Sequence, residues 1–428
     1  MTSWSFRTLR EIVDIYDGPH ATPKKTLSGP HFLGISNLID GRLDFSESEY
    51  LSEDDFEQWT RRVTPSPGDL VFSYETRLGQ AALIPSGFRG CLGRRMGLLR
   101  VREDSVNKRF LLYAYLGPRF QEILRARTIH GSTVDRIPLL EMREFPILLP
   151  DRATQDAIAS ILGALDEKIE LSHKMSATLE ATARALFKSW FVDFNPVRAK
   201  AKGRDTGLAL EIAALFPDSF EESERGEFPT GWRAGPLGEV ALNERRGILH
   251  TDIIEGTPYI GLEHMPRRSI ALQHWGYASQ LESNKSQFVK GEFLFGKLRP
   301  YFHKVGVAPV AGVCSTDILV VSASSMDWSS FVLMHLSSDA LVAHTDQCST
   351  GTKMPRASWD HISGYEVPFP PAPVAQVFNA VITPMTERIL AAIHESRTLA
   401  AIRDALLPKL ISGELRLNDA ERILEQSA

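Results

Sequence analysis

Two short stretches hold the side chains best suited to contact another molecule. In "SYETRLGQ", Ser73 to Gln80, the residues Tyr74, Arg77 and Gln80 crowd together, and Arg94 and Arg95 follow shortly after. In "GKLRPYFHK", Gly296 to Lys304, the matching set is Lys297, Arg299, Tyr301 and Lys304. A second pair of loops, "IHGSTVDR" and "GTKMPR", adds His130, Ser132 and Arg136 in the first and Thr352, Lys353 and Arg356 in the other. Long cationic donors and planar amides on loops suit base edges, arginine pairing with guanine and glutamine or asparagine with adenine. The same cations reach phosphate oxygens, and phosphate contacts outnumber base contacts at such surfaces. As a group these are candidate nucleic-acid contacts, with plain solvated surface as the competing reading. Gly79, Gly131 and Gly351, which lie in the same loops, are read as turn formers.

The residues needed for catalysis do not assemble. The twelve histidines show no H-E-x-x-H spacing, and Cys91, Cys314 and Cys348 contain no C-x-x-C pair, so neither a metal site nor a disulfide framework is expected. No G-x-x-x-x-G-K-[ST] phosphate loop occurs. A site that holds a flipped adenine needs an N/D-P-P-Y/F segment, and "DFNPVRAK" has one proline and no following aromatic, so Asn195 is given a linker role. Asp166 and Glu167 beside Lys168 resemble nuclease metal ligands, but on a long helix they read as a solvated face. The chain itself is expected to bind no cofactor and to catalyse nothing.

Composition agrees with a binding protein of modest overall charge. The net charge of −5 argues against a simple nucleic-acid coat, yet the charge is segregated. Gln58 to Arg136 holds 14 Lys and Arg against 6 Asp and Glu, whereas Glu47 to Glu57 holds six acids and no base. The start of the chain lacks the basic and apolar regions of a leader, and no run approaches the roughly 18 to 20 apolar residues that span a bilayer. A cytoplasmic protein of two to three domains is expected from its 428 residues.

The elements that must position the loops occur twice. "GDLVFSYETRLGQAALIP" is answered by "GEFLFGKLRPYFHKVGVAP", "GCLGRRMGLLRV" by "GVCSTDILVV", and "IHGSTVDRIPLLEMREFPILLP" by "CSTGTKMPRASWDHISGYEVPFPP". The long helical stretch from residue 158 onward has its partner in "ERILAAIHESRTLAAIRDALLPKLISGEL", Glu387 to Leu415. Four blocks in one order, offset by about 220 residues, describe an internal repeat. Each half reads as a mixed α+β domain. Its strands are "DLVFSY", "AALIP" and "GLLRV" in the first half and "FLFGK", "VGVAP" and "DILVVS" in the second, with "KRFLLYAYLGPRFQEILRAR" as an internal helix. The Gly-, Pro- and charge-rich residues 192–229 read as a linker.

In the first long helix, Ile158, Leu165, Ser172, Leu179 and Leu186 recur every seven residues, as do Ile161, Lys168, Met175, Thr182 and Ser189. The second helix offers Asn379, Thr386, Ile393, Ala400 and Leu407, with Ile382, Ile389, Ser396, Arg403 and Leu410. This interrupted heptad predicts an antiparallel helix pair, a coiled coil relating two halves about a pseudo-twofold axis. Gly163 and Pro384 should weaken or kink both helices at one level. A helix of roughly 38 residues is about 57 Å long, one to two turns of duplex DNA, so the pair could serve as a ruler. Leu162, Ile169, Phe187, Trp190 and Phe191 fall off the seam and predict a second face for docking partner subunits.

"SILGALDEKIELSHKMSATLEATARALFKSWFVDFNPV", "GTKMPRASWDHI" and "IRDALLPKLISGEL" resemble the conserved regions of the specificity (S) subunit of Type I restriction-modification enzymes. Such subunits often carry an acid before the glutamine opening each helix, where this chain has Thr154 before Gln155 and Ala375 before Gln376. The resemblance implies target-recognition domains at 1–150 and 230–371, conserved helices at 151–191 and 372–413, and a tail at 414–428. It implies a non-catalytic subunit that reads a bipartite, interrupted double-stranded DNA target, one half per domain. Two modification (M) subunits would bring S-adenosylmethionine and adenine methylation, and restriction (R) subunits would bring ATP- and Mg-dependent translocation and cutting. The alternatives are a two-domain coiled-coil scaffold that does not bind DNA and a fused enzyme missing its catalytic half; the completed repeat at both ends disfavours the latter.

Overall fold

The computed structural model describes residues 4–45, 48–102, 104–131, 134–223, 226–279, 282–349, 354–417, 419–420 and 422. The chain forms two compact units, one from residues 1–167 and 399–428 and the other from 168–398.

The first unit is built on a four-stranded antiparallel sheet in the order Val13–Asp17, Met96–Val101, Leu70–Ser73, Ala81–Leu83. Leu70 to Ser73 are buried throughout, as a strand covered on both faces must be, which accounts for the unbroken apolar run "LVF". A smaller sheet pairs Thr26–Leu33 in parallel with Gly90–Leu92, and a short ladder joins Ser5–Thr8 to Pro146–Leu149. The expected internal helix divides at Gly117 into Lys108–Leu116 and Pro118–Ala126, because Pro118 restarts the helix at its first turn.

The second unit repeats the plan. Ala241–Asn243, Ile318–Ala323, Phe293–Gly296 and Val305–Val307 form its four-stranded sheet, and Pro258–Ile260 runs parallel to Gly312–Cys314. Register is kept as well: Met96 faces Ser73 in the first unit as Ile318 faces Gly296 in the second. Both Cys91 and Cys314 lie buried on the matching parallel strand, where burial pushes each thiol up to about 12.

Residues 192–229 are not a linker. They form helices Asn195–Ala201 and Leu210–Ala213 and a hairpin of Phe220–Ser223 with Gly226–Pro229. Phe194, Val197, Phe216 and Phe220 pack into the second unit's core beside Trp232. The surface charge of the segment hid this apolar set. The tail likewise packs, with Leu415 and Leu417 against the first unit's core.

The long helices span Arg152–Phe187 and Ala372–Ser412, about 54 Å and 62 Å at 1.5 Å per residue. Asp151 caps the first, accepting from Thr154 N–H at 3.0 Å, so the helix start does not need an acid at position 154. Both helices run on without a break through Gly163 and Pro384. A Cβ at Gly163 would stand 2.3 Å from Arg109 Nη1, so this glycine makes room for the guanidinium that pairs with Glu167 at 2.7 Å. Around Pro384, Phe378, Ile382 and Ile389 are buried in the second unit's core.

Each unit pairs its own stretches of the two helices: within the second, Phe378 meets Phe191 with ring centroids 4.8 Å apart, and within the first, Arg403 pairs with Asp166 at 2.8 Å. A buried stripe of the first helix runs through Ile158, Leu162, Leu165, Ile169, Ser172, Ser176, Glu180, Ala183 and Phe187, at spacings of four or three. Seam positions Ile158, Ile161, Leu165, Ile382, Ile389, Ile393 and Leu410 are buried, and Leu179, Leu186 and Leu407 pack against the cores from the edge. Met175 is half-buried.

The proposed docking residues are corrected by burial. Leu162, Ile169, Phe187, Trp190 and Phe191 are all under 9% exposed, and no partner can touch them while the chain keeps this packing. Trp190 and Phe191 sit in a π-helical turn, Lys188–Val192, within an aromatic cluster that includes Phe216, Trp232, Phe331 and Phe378. Glu180 is a buried carboxylate in the same helix. It accepts from Ile270 N–H at 2.9 Å, Ser269 Oγ at 2.9 Å and Arg184 at 2.5 Å. Burial raises its pKa, with Arg184 and the Ile270 N–H opposing.

Candidate nucleic-acid interface

The loops singled out by residue chemistry are stitched together in each unit. In the first, Leu70–Ser73 leaves the sheet, turns, and returns with Ser73 N–H donating to Gln80 O at 3.1 Å. The second loop adds an antiparallel bridge between Glu75 and Arg136, in which Ile137 N–H donates to Tyr74 O at 2.8 Å and Thr76 N–H to Asp135 O at 3.4 Å. Tyr74 N–H donates to Arg95 O at 3.2 Å, which joins the third basic segment to the others.

The second unit repeats this clamp bond for bond. Leu298 bridges Arg356, Ala357 N–H donates to Lys297 O at 2.9 Å, Arg299 N–H to Pro355 O at 2.8 Å, and Lys297 N–H to Asp317 O at 2.9 Å. Both loops turn on left-handed backbone at the same place, Thr76 at φ 69° and Arg299 at φ 52°. Threonine is β-branched and strongly disfavours that region, so the surrounding bonds must impose it.

The clamp leaves cations outward. Arg77, Arg94 and Arg136 are exposed, and among the described residues no ion pair engages them. Arg95 is half-buried and pairs with Glu75 at 2.9 Å. Exposed His130 lies 3.1 Å from Asp135, and Gln80 is half-buried. In the second unit Lys297 and Arg299 are half-buried, Tyr301 is half-exposed, and exposed Arg356 pairs with Asp317 at 3.3 Å. Ser132, Thr352 and Lys353 lie outside the described residues.

Two expectations are corrected. Tyr74 is 5% exposed, its ring belongs to the first unit's core, and burial raises its hydroxyl pKa, so it supports the loop instead of reaching outward. Lys304 is turned inward, with Nζ donating to Leu262 O at 2.5 Å. That carbonyl belongs to a further repeated feature missed in the sequence, "GISN" at 34–37 and "GLEH" at 261–264. Gly34 N–H donates to Asn37 Oδ1 at 2.8 Å as Gly261 N–H donates to His264 Nδ1 at 2.9 Å. The shared glycine and its polar residue three positions later were the available signal. Arg267 was also missed; its guanidinium lies 4.3 Å from the Phe302 ring centroid. Among the described residues no cluster of His, Cys, Asp or Glu is arranged to hold a metal.

Comparison with known proteins adds independent observations. Residues 1–181 match the model of the Type I restriction modification DNA specificity domain. The chain is 22% identical over 442 residues to the Type I restriction enzyme MjaIX specificity subunit of Methanocaldococcus jannaschii, covering 97% of this chain and 94% of that one. It is 24% identical to the HindI specificity subunit of Haemophilus influenzae, over 68% of this chain and 72% of the relative. In fold it is similar to the crystal structure of the Type I restriction-modification S subunit from M. genitalium, with a TM-score of 0.55, 16% identity and 96% of each chain covered.

Proposed function

We propose that the chain is a specificity subunit of a Type I restriction-modification system, in line with its similarity to that family, and that its two units are separate readers, each binding one half of an interrupted DNA target. The subunit recognises DNA sequence, performs no catalysis itself, and works with the other restriction-modification subunits. In our reading those are two modification subunits, joined by restriction subunits for cleavage, in the cytoplasm. S-adenosylmethionine, ATP and Mg belong to them. No helix among the described residues is long and apolar enough to cross a membrane.

The observation that carries the two-reader reading is the doubled clamp. The same backbone bonds recur in both units, while the residues they present differ, Arg77 and Leu78 against Pro300, Tyr301 and Phe302. Equivalent backbone clamps that carry different loop tips suit two different half-sites. The exposed cations Arg77, Arg94 and Arg136 supply the phosphate contacts that set register. The long helices, at about 54 Å and 62 Å, set the gap between half-sites. With the five apolar residues named above committed to the core, modification subunits dock on the outer helix surface, where Leu171 is 68% exposed.

Exchanging residues 1–150 for the first domain of another family member tests the reading. Sequencing of methylated adenines in cells carrying the hybrid should show one half of the motif changed and the other retained. Change in both halves would refute it.

A further inference from the structure

The two clamped loops differ by one residue. Ser73 N–H bonds Gln80 O in the first unit, and Gly296 N–H bonds Lys304 O at 2.8 Å in the second, so the second loop holds one residue more between equivalent bonds. Both loops have two left-handed corners. Those of the first unit are Thr76 and Gly79, at φ 69° and 83°; those of the second are Arg299 and His303, at φ 52° and 51°. Between the corners lie Arg77 and Leu78 in one unit and Pro300, Tyr301 and Phe302 in the other. The added residue creates a 3₁₀ turn, Pro300–Phe302.

That turn is held on every side. Phe302 N–H donates to Arg299 O at 2.9 Å and His303 N–H to Pro300 O at 2.8 Å, while His303 O accepts from Arg268 N–H at 2.9 Å. The His303 ring lies 2.9 Å from Ser337 O through Nε2. The Phe302 ring is packed beneath the Arg267 guanidinium and lies 4.7 Å from the Tyr301 ring. Pro300 fixes its own φ. Against this immobilised background Tyr301 is 50% exposed. A ring so held loses little freedom on binding, and planar aromatic faces take nucleobases by stacking or by contact with the thymine methyl.

We infer that Tyr301 is a specificity-determining residue whose ring contacts a base in the half-site read by the second unit, a contact without counterpart in the first. The inference rests on the two-reader proposal above. The first unit offers Arg77 at the matching tip, a cation for guanine or phosphate, so the two half-sites are read by different chemistry.

The test uses the chain assembled with its modification subunits, measuring methylation of duplex oligonucleotides in which each target position is substituted in turn. Tyr301→Ala should lower kcat/KM on the best duplex roughly 10- to 100-fold. It should also flatten base preference at one or two positions of a single half-site, leaving the other half-site as in the wild type. Tyr301→Phe, which keeps the ring, should stay within about threefold of wild type with its preferences intact. Should the alanine chain melt early, Tyr301→Leu replaces it in the same panel with the same expectations. An equal loss on every duplex without altered preference overturns the inference, as does a Tyr301→Phe chain that behaves like Tyr301→Ala. A wild-type preference that does not divide into two half-sites overturns the two-reader proposal and this inference with it. A divided preference untouched by Tyr301→Ala overturns the inference alone.

Discussion

Replacing Thr76 by glycine should make the first unit more stable and its reading less discriminating. At φ 69° the threonine Cβ crowds its own backbone, a strain of about 1–3 kcal/mol that glycine does not suffer. Two terms oppose the gain. Glycine adds freedom to the unfolded chain, about 0.5–1 kcal/mol, and the exposed bond from Arg95 Nη1 to Thr76 Oγ1, long at 3.3 Å, contributes only about 0.5 kcal/mol or less. The net expectation is about 1 kcal/mol of stabilisation, a melting shift of roughly 2–4 °C for a unit of this size. Hydrogen exchange in peptides covering 70–83 and 134–137, followed through a urea series, isolates this unit's unfolding from that of the second. Thr76→Ala keeps the Cβ and should give no gain. Methylation by the assembled complex should meanwhile tolerate more base changes in the first half-site, because the loop is no longer forced into one shape. If Thr76→Gly instead destabilises the unit by 1 kcal/mol or more, the left-handed corner is not strained and the reasoning fails.

Two further variants probe the second unit. Changing Trp190 and Phe191 to Ser should collapse its thermal transition, since each opens a core cavity worth about 3–5 kcal/mol; an unchanged melt with lost subunit assembly would contradict their placement in the aromatic cluster. His335 lies buried against Phe187 and Phe331, and desolvation brings its pKa down to about 3, whereas in the unfolded chain it protonates near 6.5. Stabilisation from the neutral imidazole is therefore complete above pH 6.5 and wanes as pH falls toward 3, by about 2 kcal/mol at pH 5. Denaturant titrations of His335→Leu should show a flatter pH dependence between 7 and 5, and an unaltered slope would refute the assignment.

The repeat was legible because strands such as Leu70–Ser73 and Phe293–Gly296 are buried on both faces and so keep unbroken apolar runs. The helix seam was legible only in part. Counting strictly by sevens from Ile161 led to Lys168 and Thr182, which are exposed, whereas the buried stripe steps by four and three through Leu162, Ile169 and Phe187. Glu180 escaped notice because its acceptance of Ile270 and Ser269 donors joins positions some 90 residues apart, which no local pattern encodes. Charge misled twice. Dense Lys, Arg and Glu disguised the folded segment around Phe216, and the basic setting of Tyr74 and Lys304 suggested outward contacts where the backbone turns both inward. Of the loop cations, Arg77, Arg94 and Arg136 remain exposed.

The first unit closes only with residues from 399 onward, where Leu406, Leu410, Ile411 and Ala420 enter a core otherwise made from the beginning of the chain and Arg403 reaches Asp166. On a ribosome, that core must wait: some 230 residues of intervening polypeptide are made before its last wall arrives. The second unit, contiguous in the chain, meets no such delay and can finish first. A nascent chain therefore carries an unsealed apolar surface through most of its synthesis, the state in which chaperones and proteases compete. A premature stop after residue 398 would spare every residue of the second unit and still leave the first one open. Quality control on such a chain falls on the part that was translated earliest.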